Sequence, residues 1–208
     1  MANYQDMITR IADELSRSDL TTQIQNEIQS AIAYYQNERF YFNERRDVTW
    51  NTVIGQEFYT STDIPDLSLL TQMDAMTITV NQDRFKVRPW PYPNLEQMSV
   101  TTTTQGQPGY YSIYAQQIRL YPIPQMVYPM RLSGLFVVAA PVNMSDSNVW
   151  TNDAEELIRA RAKKNVCINI IKDAANAATA QAQETEAYRN IVIRTSQFTA
   201  SGQFMGSL

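Results

Sequence analysis

Apolar residues recur at three- and four-residue intervals near both ends of the chain and at two-residue intervals between them. Tyr4, Ile8, Ile11 and Leu15 form one stripe of a short helix, which Ser16–Asp19 break. Ile24, Ile28, Ala31, Ile32 and Tyr35 form the stripe of a second helix, with Thr21 or Thr22 as its expected cap. Neither helix is apolar all round, so each needs a partner. From about residue 46 the period falls to two. Val48 and Trp50 alternate with Thr49 and Asn51, Gly55-Gln56 turns the chain into Phe58, and Met76, Ile78 and Val80 mark a third strand. Phe85 and Val87 follow the Asn81-Gln82-Asp83 turn, and further strands are expected at 110–114, 117–121 and 130–138. Pro89-Trp90-Pro91-Tyr92-Pro93 reads as an extended, polyproline-like crossing, and Thr101–Gly109 as the most loop-like stretch before the C-terminal region.

Helix returns at Asn152, which with Glu155 makes a capping-box-like start. One long helix is expected from Asp153 to about Ala175, its wide apolar face carrying Leu157, Ile158, Val166, Ile168, Ile170 and Ile171. A last helix covers about Ala177 to Gln197, with Tyr188 and Ile191 on one side and Phe198 just beyond its end. Helices, strands and helices in that order predict an α+β fold. The terminal helix pairs, residues 1–45 and 151–198, would share a four-helix bundle. Residues 46–150 would form an inserted lobe, a small antiparallel β-sandwich or barrel, and 199–208 a flexible C-terminal tail.

Composition narrows the chemistry. The 208 residues are 44% hydrophobic, enough for a real core, and include no histidine. The commonest general base and metal ligand are therefore missing, along with every nucleophile that depends on histidine. The single cysteine, Cys167, lies in an apolar helical stretch and reads as a small buried hydrophobe. Seventeen basic and 21 acidic residues give a net charge of −4, the wrong sign for a protein built to grip phosphate. Charged residues make up only 18%, so much of the polar surface is uncharged and suits coverage by protein neighbours. No apolar run is long enough to cross a membrane, and the opening residues lack the pattern of a secretion signal. Production in a cytoplasm, solubility there and a chance Asn143-Met144-Ser145 glycosylation triplet are the corresponding expectations.

Few motifs carry chemistry. Gly106-x-x-Gly109 has no helix behind it to cradle a phosphate, so no cofactor is expected, and no acid cluster has metal-binding spacing. Glu155-Glu156 and Glu184/Glu186 are carboxylate pairs by count, but helix-start electrostatics and pairing with Arg159 explain Glu155. Contact surfaces are better represented. Arg39, Phe40, Tyr41 and Phe42 lead into Arg45 and Arg46, concentrating the residue types that interfaces favour. Phe40 and Phe42 also suit the role of glue between bundle and lobe. Phe198, Phe204, Met205 and Leu208 place apolar side chains on the expected tail. Arg159, Arg161, Lys163 and Lys164 form a basic helix face, which is either solvated or, at Arg159 and Lys163, a DNA contact.

The order of elements resembles the head-to-tail adaptor (head-completion or tail accessory) proteins of short-tailed bacteriophages. The resemblance rests on Ala33-Tyr34-Tyr35-Gln36-Asn37-Glu38-Arg39-Phe40-Tyr41-Phe42-Asn43-Glu44, on Gly55-Gln56 leading to Asp63-Ile64-Pro65-Asp66, and on Pro108-Gly109-Tyr110-Tyr111. It extends through Gln117-Ile118-Arg119-Leu120-Tyr121-Pro122-Ile123-Pro124 to Trp150-Thr151-Asn152-Asp153-Ala154. It implies a non-enzymatic virion protein at the head–tail interface, assembled as a ring of twelve copies beneath the portal protein. That ring would extend the DNA-exit channel, with transient, non-specific passage of genomic DNA, and would receive tail nozzle or tail fibre proteins below. By the same resemblance, Phe198, Phe204, Met205 and Leu208, with Arg39, Tyr41, Arg45 and Arg46, become portal or inter-subunit contacts. Trp90 and Tyr92 become a β-lobe surface. Two alternatives stand beside this one: a tail accessory protein that degrades peptidoglycan, and a host-glycan-binding module using Trp90, Tyr92 and Tyr110.

Overall fold

The computed structural model describes residues 2–99 and 104–199 of a mixed α and β protein. It divides into a helical unit, built from the chain up to Phe42 and from Val138 onward, and a β unit of Asn43–Val137.

In the helical unit, α1 (Tyr4–Leu15) starts at a capping box: the Asp6 amide donates to Asn3 Oδ1 (2.8 Å) and the Asn3 amide to Asp6 Oδ2 (3.0 Å). Two amides of its first turn donate to the carbonyls of Asp146 and Met144, so the 138–148 segment supplies bonds the helix cannot make itself. Ser16, with a φ of 51°, ends it in the left-handed conformation. The second helix, α2 (Thr21–Tyr35), has neither Thr21 nor Thr22 as its cap. A tight turn at Ser18–Leu20 runs straight into it, and the Thr21 hydroxyl donates back to the Ser18 carbonyl (3.4 Å). Its buried side chains are the predicted Ile24, Ile28, Ala31, Ile32 and Tyr35.

The capping box expected at Asn152 forms four residues earlier. Asn148 Oδ1 accepts from the amides of Trp150 and Thr151, and the Asn148 amide donates in return to the Thr151 hydroxyl, which opens the short α4 (Val149–Asn152). Next comes α5 (Glu155–Val166), which has no side-chain cap; Glu155 and Glu156 instead place negative charge on its first turn. The long helix expected to run to Ala175 ends at Val166. A widened turn at Cys167–Ile171 leads to Lys172 in the left-handed conformation (φ 62°), where Asp173 Oδ1 accepts from the amides of Ala175 and Asn176 and caps a new helix. This widened turn leaves Ile168 and Ile170 exposed, contrary to expectation. The new helix, α6 (Ala174–Thr199), extends past Phe198. Its inward stripe is Ala177, Ala180, Glu184, Ala187, Ile191 and Thr195, whose three alanines leave room for α5. One hydrophobic core draws on α1, α2, α5 and α6 together with Phe40 and Trp150. Each of its fully buried isoleucines contributes ~1.5–3 kcal/mol.

The β unit contains β1 (Glu44–Asn51), β2 (Phe58–Tyr59), β3 (Leu70–Val80), β4 (Asp83–Pro89), α3 (Tyr92–Ser99), β5 (Gln105–Gly106), β6 (Tyr110–Tyr114), β7 (Gln117–Tyr121), β8 (Ile123–Pro124) and β9 (Pro129–Phe136). Seven strands form a sheet in the order β1-β9-β3-β4-β6-β7-β2, with β5 and β8 paired separately. This linear order leaves β1 and β2 as edges, so the sheet is open. It is antiparallel except at β4–β6, because the connection through α3 returns the chain to start β6 in the same direction as β4. Pro91 and Pro93 were expected to hold the chain extended. Instead they frame the first turn of α3, where a missing N–H costs nothing, and the Pro91 carbonyl accepts from Asn94 and Leu95. The core of this unit is built on Trp50, Tyr59, Met76, Ile78, Tyr111, Leu120, Met130, Leu132 and Phe136. Gly134 is required in β9, since a Cβ there would lie 2.2 Å from the Gln72 carbonyl oxygen at the bulges between β3 and β9.

Candidate interaction site

At the exit of α2 the chain turns through Tyr41, half-buried against the C-terminal half of α6. The Tyr41 hydroxyl donates to Asp153 Oδ1 (2.7 Å), and its amide donates to the Thr195 hydroxyl (3.2 Å). Its ring stacks on Phe198 with centroids 5.0 Å apart, while the Arg194 guanidinium lies 4.9 Å from the ring and 3.6 Å from Asp153. Burial, and next the bond to Asp153, push the Tyr41 phenol up to about 12. Phe198 remains 64% exposed, a large aromatic on an otherwise polar helix end. Aromatics and arginine gathered around a partly exposed ring have the composition of an interface anchor. Two predicted contact residues, Tyr41 and Phe198, are therefore brought together. Phe204, Met205 and Leu208 lie outside the described residues.

The other predicted residues are distributed differently. Arg39 is half-buried in the helical unit. Arg45 and Arg46 belong to the β unit, where Arg45 pairs with Asp66 (2.9 Å) and lies 5.0 Å from the Phe136 ring, while Arg46 is exposed. Phe40 and Phe42 pack in the helical unit, Phe40 fully buried and Phe42 edge-on to Trp150. Trp90 is exposed and edge-on to Tyr110. Tyr92 stacks on Tyr114 (4.4 Å) beside buried Arg119, which reaches Glu57 (2.6 Å) and Glu96 (2.7 Å).

The basic residues of α5 are engaged within the helical unit. Arg159 and Lys163 both pair with Glu14 of α1, and Arg159 also lies 3.1 Å from Glu155. Arg161 and Lys164 meet on Glu184 of α6, which also accepts from the Tyr35 hydroxyl (2.6 Å). Arg161 lies over the Tyr34 ring, 3.4 Å from its centroid. The basic face of this helix thus carries ion pairs to α1, to its own first turn and to α6. Burial alone would raise the Glu184 carboxyl, but bonds from Lys164, Tyr35 and Arg161 outweigh it and hold it below the usual range. A glycosidase acid needs the opposite shift. Sequence spacing shows the Glu155–Arg159 pair; the cross-helix partners Glu14 and Glu184 carry no local signal.

Among the described residues no group of acids and Cys167 has the geometry of a metal site, and no helix is long and apolar enough to cross a membrane. Cys167 is buried, its thiol raised by burial first and by Asp173 second, as befits a packing residue.

In chain order, helices precede and follow a mostly antiparallel β unit, and aromatic and arginine side chains gather at Tyr41 and Phe198. The sequence pattern of the SU10 adaptor protein family matches residues 2–204, nearly the whole chain, and the protein belongs to that family. The resemblance to phage head-to-tail adaptors is thereby borne out. No curated protein matches the chain.

Proposed function

We propose that the protein is a non-enzymatic head–tail connector: a ring, twelve copies in the family's manner, docked beneath the portal, extending the DNA-exit channel and receiving the tail nozzle or fibres. Family membership over residues 2–204 carries this reading. In it, α1, α2, α5 and α6 act as a four-helix bundle, and the β unit acts as an inserted lobe. The Tyr41–Phe198 platform, with the residues that follow it, forms the portal or inter-subunit contact. Two features support this assignment: Phe198 is exposed at the end of α6, and the adjoining Arg194 is held against Tyr41 and Asp153. A net charge of −4 suits a channel that must release DNA.

The test is native mass, measured for the chain alone and mixed with the portal protein encoded by the same genome. A complex with about one copy per portal subunit is expected, weakened by Phe198→Asp. Failure to join the portal would overturn the connector role.

A further inference from the structure

Among the described residues, the ladders of the β unit leave a strand-shaped gap. The β3–β4 ladder runs from Val80–Asp83 to Met76–Val87, and the β4–β6 ladder ends at Pro89–Tyr111. Beyond those points Pro91 takes the chain away into α3, while β3 continues through Leu70–Ala75 with β9 as its ladder partner among the described residues. On the other wall, β6 continues through Ser112–Tyr114 with β7 as its ladder partner among the described residues, and Tyr92 of α3 stacks on Tyr114. Gly109 and Tyr111 accept from Arg88 and Trp90 across the β4 edge. The two-residue period of a strand turns the Ile113 peptide to that same edge, beyond the last ladder bond.

A groove of about 420 Å³ lies at this place, lined by Met73, Pro89, Trp90, Pro91, Tyr111, Ser112 and Ile113, with no charged side chain among them. The Ser112 hydroxyl is buried there and has no hydrogen-bond partner among the described residues. Ile113 and Trp90 are 44% and 39% exposed. A β-sheet edge flanked by apolar walls takes an extended, uncharged peptide, whose backbone continues the missing strand.

The chain itself contains such a segment. Ala200-Ser201-Gly202-Gln203-Phe204-Met205-Gly206-Ser207-Leu208 carries no charged side chain, and its consecutive Phe204 and Met205 would send one apolar group to each face of a strand. Fully extended, nine residues span roughly 30 Å, ample for a short strand. We infer that residues 200–208 of a second copy fill the gap, so that neighbouring copies are linked by strand addition. This deepens the connector reading, because it rests on copies standing side by side.

The test uses the full chain with p-benzoylphenylalanine at position 204, mixed as heavy- and light-isotope protein, irradiated and mapped by mass spectrometry, with and without the portal protein. Adducts between heavy and light chains at Met73, Trp90 or Ile113 are expected, and Ile113→Arg should abolish them. Ile113 is exposed, so this variant keeps its fold, which circular dichroism checks. Adducts within one chain, adducts on the portal, adducts elsewhere, or none at all overturn the inference. Portal assembly that survives Ile113→Arg while heavy–light adducts are missing from the unaltered chain removes the strand link and leaves the connector role standing.

Discussion

Replacing Glu184 probes the electrostatic centre of the helical unit. The side chain is 4% exposed on α6 and ties together Tyr35 of α2 with Arg161 and Lys164 of α5. Glu184→Ala leaves two cations facing each other without an anion and strands a buried tyrosine hydroxyl. Removing one member of a buried charge pair costs about 3–5 kcal/mol. Arg161 and Lys164 retain some solvent contact, which places the expected loss near the lower end, about 3 kcal/mol. For a chain of this size that lowers Tm by roughly 6–12 °C. Glu184→Gln keeps an acceptor but no charge, and should cost about 1–2 kcal/mol. The sign with pH follows from the lowered carboxyl. A carboxylate held below its unfolded value stabilises the fold at neutral pH, and that contribution fades as pH falls from the ordinary carboxylate range through the folded value. Wild type and Glu184→Gln should therefore converge in acid. Urea unfolding at neutral and acidic pH provides both readings. A Glu184→Ala chain within about 1 kcal/mol of wild type at neutral pH would refute the buried-network argument.

Further expectations follow from other elements. Gly134→Ala forces a methyl group onto the Gln72 carbonyl and should destabilise the β unit by ~2–3 kcal/mol in urea; a neutral result would mean that the bulge yields freely. Asn148→Ala removes the α4 cap and should cost about 1 kcal/mol by thermal unfolding, whereas a change below ~0.3 kcal/mol would show the cap to be dispensable. Tyr41→Phe should remove one late step from the alkaline ultraviolet titration. The raised phenol stabilises the fold below its unfolded value near ~10, and this is lost as pH rises toward about 12, so the variant should also be less sensitive to alkali in that window. Phe198→Asp should leave Tm within about 1 °C, because the ring is exposed, while weakening assembly; a large loss of Tm would recast the ring as a packing residue.

The helical stripes of α1 and α2 and the alternation in β3 and β4 were legible because local periodicity reports one buried face directly. Tyr41 and Phe198 were legible as contact chemistry, though not as neighbours, since more than 150 residues separate them. The misreadings share one physical origin. Pro91 and Pro93 obey two rules at once, breaking a strand and starting a helix, and only buried Leu95 tips the balance to α3. The apolar run Val166–Ile171 looks like a continuous helix. Lys172 and Asp173 end it by a left-handed residue and a new cap, a signal present in the sequence but weaker than the hydrophobic pattern around it. The pairing of the α5 cations depends on acids from α1 and α6, which no window along the chain contains.

The helical core takes Ile8, Ile24 and Ile32 from early in the chain and Leu157, Ala187 and Ile191 from late in it. During synthesis the early helices thus leave the ribosome long before their packing partners exist, and the whole β unit is made between them. Closure of the core, and with it the joining of Tyr41 to Asp153 and Phe198, waits for α5 and α6 to be made. The platform assigned to assembly is consequently absent from nascent chains. A chain that has not yet been extended through Phe198 cannot present it.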